Sequence, residues 1–439
     1  MMFLLLLVIA PQESVKPAFD QLILQHGARV EGLLLEETPQ QVRFQFLLKK
    51  PGVRTLVFET TYHRSEIAKI IKATEPGRTY ARQLFDKLST SSKNEEEAVS
   101  RIQLHVSPWI EGEKQALVYR GNYFELLSDA PKPLIQFVAF RLEQMFAAYL
   151  GILGKRVEPV KPLRILLFGS ITEYRLYQQK KGITLLSPAV YDVRNMEIIM
   201  GTDLPAQQKE LQTLKKQHAL KLSELQQQRK SYFRHYGGQL PAILAKQLEQ
   251  LQQQLQQVDS ENEATYALAQ QQFFSVVYHE AFHAYLDNWV FPSEQYSVPR
   301  WLNEGLAQLF ENAFIEIDEL RIGRIEDKRL VSIQDAVRAG RFMSIRELIQ
   351  APMQQFLVRH TSDQFEVDRY YQASWALAHY LNWELKLLNS SAMLEYVSRS
   401  DEDQPLQRFE KLVGMSIPQC QEQWYQYLLR LRADGTLRP

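Results

Sequence analysis

His279-Glu280-Ala281-Phe282-His283, followed by Trp301-Leu302-Asn303-Glu304-Gly305, is the stretch on which the reading of this chain turns. Two histidines four apart on a helix stand one turn above each other on the same face, so both imidazoles reach one ion. Glu280, one step round that helix, faces a water held there and can take its proton. Glu304, in a second helical segment, supplies the anionic third ligand. Two His and one Glu leave a fourth position open, the mark of a catalytic rather than a structural Zn2+ site.

The neighbours of the motif matter as much as its spacing. Phe273, Phe274, Val276, Val277, Phe282, Leu286 and Trp289 surround it, a pattern of a buried helix rather than of a solvated one carrying unrelated polar residues. Buried ionisable groups need a partner or a metal.

Composition sets the outer bounds. The 439 residues suffice for two or three domains with a sizeable core. Basic and acidic residues balance at 51 each, and no Lys/Arg block is long enough to form a phosphate-binding face, so nucleic acid is not an expected partner. Cys420 is the only cysteine, which excludes an intrachain disulfide and a thiolate zinc cluster. The apolar run Phe3 to Ala10 is far shorter than the ~18 residues of a membrane span. It resembles the core of a secretory signal peptide, although no Lys or Arg precedes it and Pro11 follows directly. Residues 1–15 are therefore read as a signal segment for export, periplasmic or extracellular, with no transmembrane span.

Residues 16–65 read as a small antiparallel β module: Leu22 to Leu24, Val30 to Leu35, Val42 to Leu48 and Leu56 to Thr61 are apolar or β-branched runs separated by turn residues. Residues 66–97 read as a helical linker, with helices over Glu66–Ala73 and Thr79–Leu88 and a polar connector from Ser89 to Glu97. Residues 98–204 are richer in strands: a strand over Tyr119–Leu127, a helix over Leu134–Leu150, a buried strand over Leu163–Phe168, a helix over Ile171–Lys180, and a strand pair over Ala189–Met200 turning near Arg194-Asn195. The whole predicts an α+β fold.

Residues 205–268 differ in kind, being rich in Gln, Lys, Glu and Leu and split at Gly237-Gly238. Leu244, Leu248, Leu251, Leu255 and Val258 alternate by four and three, as in a coiled-coil seam. This predicts an inserted helical hairpin about 45 Å long at 1.5 Å per residue. It reads either as an arm for self-association or a protein partner, or as a spacer. Its second helix runs on into the helix of His279. Residues 269–325 carry the two metal-site helices, the first ended by Pro292 and the second begun at Ser297 and Pro299. Residues 326–439 form a mostly helical subdomain, with helices over Ile345–Ile349, Tyr371–Leu388, Met393–Ser398, Leu406–Val413 and Ile417–Leu431.

The phrases His279 to Leu286 and Val298 to Ala307 resemble the gluzincin metallopeptidases, the peptidase MA-like clan of thermolysin and the aminopeptidases. Within that clan the chain is most similar to an uncharacterised family of exported bacterial proteins classed only as a domain of unknown function. Leu166 to Ser170 and Tyr191-Asp192 carry a weaker likeness, and the resemblance spans roughly Tyr119 to Trp383 with the hairpin as an insertion. It implies a gluzincin-like α/β domain in which His279, His283 and Glu304 bind zinc and Glu280 is general base and proton shuttle. It further implies that Asn303 steadies the second histidine, and Asp287 is another candidate orienter or a surface acid. Tyr371, opening Tyr371-Gln372-Ala373-Ser374-Trp375, resembles the tyrosine that donates to the oxyanion in the aminopeptidase branch; a packed core tyrosine is the competing reading. His379 is the alternative donor or a satisfied core histidine. The strand Met196–Met200 matches the clan's substrate-binding edge strand.

Two departures bear on activity. Where thermolysin-like enzymes place a carboxylate to orient the first histidine, this chain has Gln308. The Gly-x-Met-Glu-Asn motif of the exopeptidases is missing, which favours an endopeptidase acting on a peptide or protein substrate. The expected function is thus a zinc-dependent endopeptidase; the competing one is a zinc-bearing or catalytically degenerate binding protein.

Overall fold

A computed structural model describes residues 19–25, 29–48, 56–110, 114–159, 161–183, 187–239, 241–311, 314–316, 319–321, 325, 327–356, 364–399, 404–433 and 435–438. The expected signal segment lies outside these residues. The described residues divide into two compact units, those within 1–50, 54–97 and 315–319 forming one and those within 98–314 and 320–439 the other.

The first unit is built on an antiparallel sheet. Strands β1 (Asp20–Leu24), β2 (Arg29–Glu37), β3 (Gln41–Leu48), β4 (Leu56–His63) and β5 (Ile67–Ile71) pair in the order β4-β3-β2-β1-β5. One face buries Leu22, Leu34, Val42, Phe44 and Ile67. The alternation along β2 sends Leu33 to the other face, against Ala81 and Phe85 of helix α1 (Glu75–Ser100). Asp20, fully buried, accepts from the Leu34 and Ala73 amides at 2.9 and 2.8 Å and meets Arg78 at 3.3 Å, so its charge is compensated. Two expectations fail here. Residues 67–71, read as helix, form the strand β5, because Ile67, Ile70 and Ile71 extend an edge that β1 leaves open. Residues 89–97, read as a connector, continue α1 without a break.

The second unit opens on a six-stranded mixed sheet. Its strands β6 (His105–Pro108), β7 (Gln115–Arg120), β8 (Phe124–Ser128), β9 (Leu163–Phe168), β10 (Ala189–Asp192) and β11 (Glu197–Gly201) run in the order β10-β11-β9-β8-β7-β6. The expected single strand over 119–127 is a hairpin: Gly121 donates to the Phe124 carbonyl at 3.0 Å and reverses the chain. The parallel pair β8/β9 requires a crossover, supplied by helix α2 (Lys132–Leu153); α3 (Ile171–Lys180) follows β9. Both faces of β9 are buried. Ile165 and Leu167 face α2, and Leu166 and Phe168 face Trp109, Tyr174 and Tyr177.

Helices α4 (Leu204–His235) and α5 (Ala242–Tyr285) form the hairpin, and α5 continues unbroken into the sheet-covering core. There Tyr149 of α2 donates to the Tyr278 carbonyl at 2.8 Å and packs edge-on against Phe282. Instead of running on towards Pro292, α5 widens into a π-helical turn over residues 286–290. The remaining helices are α6 (Arg300–Glu311), α7 (Asp327–Arg338), α8 (Ile345–Ile349), α9 (Gln364–Trp383), α10 (Ser391–Val397), α11 (Pro405–Val413) and α12 (Ile417–Arg430). The expected helix to Leu388 stops at Trp383, where the chain turns through Lys386 at φ 54°. Helix α6 lies directly on α9, and Trp424 of α12 donates to the Ala376 carbonyl of α9 at 3.1 Å. Among the described residues, no helix is long and apolar enough to cross a membrane.

Candidate metal centre

Helices α5 and α6 bring three side chains to one point. The Nε2 atoms of His279 and His283 lie 3.0 Å apart. The Glu304 carboxylate lies 3.2 Å from the His279 Nε2 and 3.5 Å from that of His283. One ligand atom from each residue falls within 4.8 Å of the others, so the cluster could hold a metal ion. The imidazole nitrogens of buried His279 and partly buried His283 and the buried Glu304 carboxylate, converging this closely, are a His-His-Glu donor set.

The surroundings prepare these groups. His283 Nδ1 is 2.9 Å from the side-chain oxygen Oδ1 of Asn303, so the ring donates there and turns the lone pair of Nε2 to the cluster. Burial pushes the His283 imidazole down to about 4, against the pull of Glu304, and the ring stays in its neutral, ligating form. Burial by itself would raise the Glu304 carboxyl. The imidazoles of His283 and His279 and the Arg300 guanidinium outweigh it and hold the group well below the usual carboxylate range. The Arg300 guanidinium lies 2.9 Å from Glu304. Glu304 Oε1 nevertheless lies buried without a well-directed hydrogen bond, a polar atom still able to accept a ligand.

Glu280 shares the cavity. Its Oε2 accepts the Tyr191 amide of β10 at 2.8 Å, which fixes the carboxylate beside the histidines in a cavity of about 450 Å³. Here the structure corrects the expected edge strand: β11 pairs on both sides and is interior, and the sheet edge lining the cavity is β10.

The outer residues divide. Gln308 does not face the first histidine; its amide donates to the carbonyls of Glu304 and Tyr371 at 3.2 and 3.0 Å. It accepts from Arg329 at 2.5 Å. The carboxylate beside His279 is Glu311, whose Oε2 is 3.5 Å from Nδ1. Glu311 is seven residues past Glu304, two turns on and on the same helical face, a spacing that could have pointed to it. Asp287 lines the cavity and accepts from the Tyr191 hydroxyl at 2.8 Å and the Ser293 amide at 3.0 Å, serving the π-helical turn rather than a histidine. Tyr371 also lines the cavity, with its hydroxyl donating to the Phe356 carbonyl at 2.7 Å. His379 is a core histidine: Nδ1 lies 2.8 Å from the Tyr427 hydroxyl and the ring packs on Trp383.

Residues 273–407 match a family described as Protein of unknown function (DUF1570). The match begins where α5 enters the core and covers all three cluster residues, ending in α11. No curated protein and no solved structure matches the chain.

Proposed function

We propose that this protein is a zinc-dependent metallopeptidase of gluzincin type, an exported endopeptidase that hydrolyses peptide bonds with water. The observation that carries the reading is the convergence of His279, His283 and Glu304 with the carboxylate of Glu280 in the same cavity. A purely structural site needs no base beside its ligands. A divalent ion held by the three residues would supply Lewis acidity, acidifying water and polarising a carbonyl.

The chain's own groups do the rest. Glu280 takes the proton of the attacking water and delivers it to the leaving amine. Its hydrogen bond from the Tyr191 amide keeps it aimed while it changes charge. Residues of β10 form the sheet edge beside Glu280, where an extended peptide could add a strand by main-chain hydrogen bonds. Tyr371 is the candidate donor to the oxyanion, and its role requires the Phe356 bond to be exchanged for the substrate oxygen.

The test is metal analysis of the purified chain together with cleavage of a quenched peptide library. Bound zinc, lost in His283→Ala, and cleavage abolished by a chelator are expected. Glu280→Gln should keep the metal and lose cleavage. A metal-loaded chain that cleaves nothing would favour the competing reading, a zinc-bearing binding protein. Undiminished turnover in Glu280→Gln would remove the assignment of the base.

A further inference from the structure

The α4–α5 hairpin ends in a surface for which the metal centre has no use. Between Leu225 and Leu248 the chain carries Arg229, Lys230, Arg234 and Lys246 and no Asp or Glu, in a molecule with zero formal net charge. All four cations are exposed, and none forms an ion pair among the described residues. Interleaved with them are exposed apolar side chains: Tyr232 is 39% accessible, Phe233 49%, Tyr236 49% and Ile243 76%. Gly237 and Gly238, at φ 67° and 94°, make the tight reversal, and the Gly238 amide donates to the Phe233 carbonyl at 2.9 Å. The rings therefore stand on a defined end rather than in a loose loop. Leu225, Phe233 and Leu248 line an adjoining groove of about 770 Å³ that Arg229, Lys230 and Arg234 also line, with Glu249 among its lining residues.

Aromatic rings mixed with unpaired cations suit the boundary between water and lipid, where the rings enter the headgroup layer and the cations meet phosphates. We propose that the hairpin tip docks on an anionic lipid surface. Tyr232, Phe233, Tyr236 and Ile243 would enter the headgroup region, and Arg229, Lys230, Arg234 and Lys246 would pair with the phosphates. A second copy is disfavoured as occupant because it brings the same four cations. Nucleic acid is disfavoured because Tyr232, Phe233, Tyr236 and Ile243 are interleaved with the cations, where a phosphate track would need polar surface. Helix α5 runs unbroken from Ala242 to the cluster, so His279 stands about 55 Å along it from the tip, at 1.5 Å per residue. The tip thus acts as a peripheral anchor holding the catalytic cavity off the surface, whatever chemistry that cavity performs.

Sedimentation of the full chain with vesicles tests this. Phosphatidylcholine vesicles containing about a third phosphatidylglycerol should carry the protein down, and pure phosphatidylcholine vesicles should not. Binding should weaken as NaCl is raised. One cation at such a surface is worth about fivefold in partition, so Lys230→Glu with Arg234→Glu should lose about 25-fold or more. Tyr232→Ser with Phe233→Ser should lose about tenfold or more, while Lys216→Glu, exposed lower on α4, should lose less than about fivefold. Equal partition to both vesicle types, or no partition of the wild-type chain, overturns the proposal without recourse to any variant. So does binding that the tip substitutions leave unchanged. Tip substitutions that abolish self-association in the absence of vesicles, or binding of a single-stranded oligonucleotide, would assign the surface to the rejected occupants.

Discussion

Replacing Gly305 with alanine would put a methyl carbon 2.3 Å from the Ser374 carbonyl oxygen and 2.9 Å from the Ala378 Cβ. Ordinary contacts begin near 3.4 Å, so α6 and α9 must part by about 1 Å. The nearest atom is backbone and has no rotamer to escape into. The cost therefore sits at the upper end of the range for overpacking, about 3 kcal/mol. In a unit larger than about 250 residues each kcal/mol is worth about 2 °C or less, so the Tm should fall by up to roughly 6 °C. The displacement also acts on the neighbouring residue, Glu304. A carboxylate moved by about 1 Å exceeds the ~0.2 Å tolerance of a metal site several-fold, so zinc affinity should fall about tenfold or more. Thermal unfolding by circular dichroism, with and without zinc, and competition with a chromophoric chelator give both quantities. Gly151→Ala is the control: it sits in α2 with nothing within 4 Å of the new Cβ, and should be neutral or stabilising by about 0.5–1 kcal/mol. A Gly305→Ala chain with unchanged Tm and unchanged zinc affinity would refute the claim that close helix packing positions Glu304.

Glu311→Gln should weaken zinc binding about tenfold by removing the carboxylate beside His279, whereas Gln308→Ala should change it by less than about twofold; equal effects would return Gln308 to the role expected from the sequence. His379 makes a prediction about acid. Burial lowers its imidazole to about 3, below the ordinary 6.5, so from pH 6.5 down to 3 the unfolded chain takes up a proton that the folded chain refuses. Its contribution to stability is present above pH 6.5 and is lost as pH falls through that window, by up to about 1.4 kcal/mol per pH unit. His379→Gln, able to keep a hydrogen bond to Tyr427, should flatten the pH dependence of the urea midpoint of the metal-free chain. Parallel wild-type and variant profiles would show that another group dominates acid unfolding.

The histidine pair of the candidate metal cluster was legible because its determinants are local. His279 and His283 share a helical face by spacing alone, and the aromatic run around them marks the helix as buried. Asn303 stands against His283, the place that the resemblance to the gluzincins implies for it. The hairpin was legible from its leucines and the Gly237-Gly238 break, although Leu251 and Val258 of the expected seam remain 47% and 43% exposed. With only two helices in the arm, part of the apolar stripe has no partner to cover it.

What failed to show in the sequence depended on distant neighbours. The 67–71 segment has helix-like spacing until β1 offers it an edge, and the sheet order that puts β10 rather than β11 beside the site is set by pairings far apart in sequence. Gln308 and Glu311 lie on one helix, and contacts with α9 and Arg329 hold Gln308 while Glu311 stands beside His279. The amino-acid sequence by itself determined most of the helices and the pairing of His279 with His283 on one helical face, because these rest on residues within one or two turns of each other. The tertiary structure alone decided the approach of Glu304 to the histidines, the Tyr191 amide as partner of Glu280 and the cavity wall, because each requires two segments to meet, and only packing sets where they do.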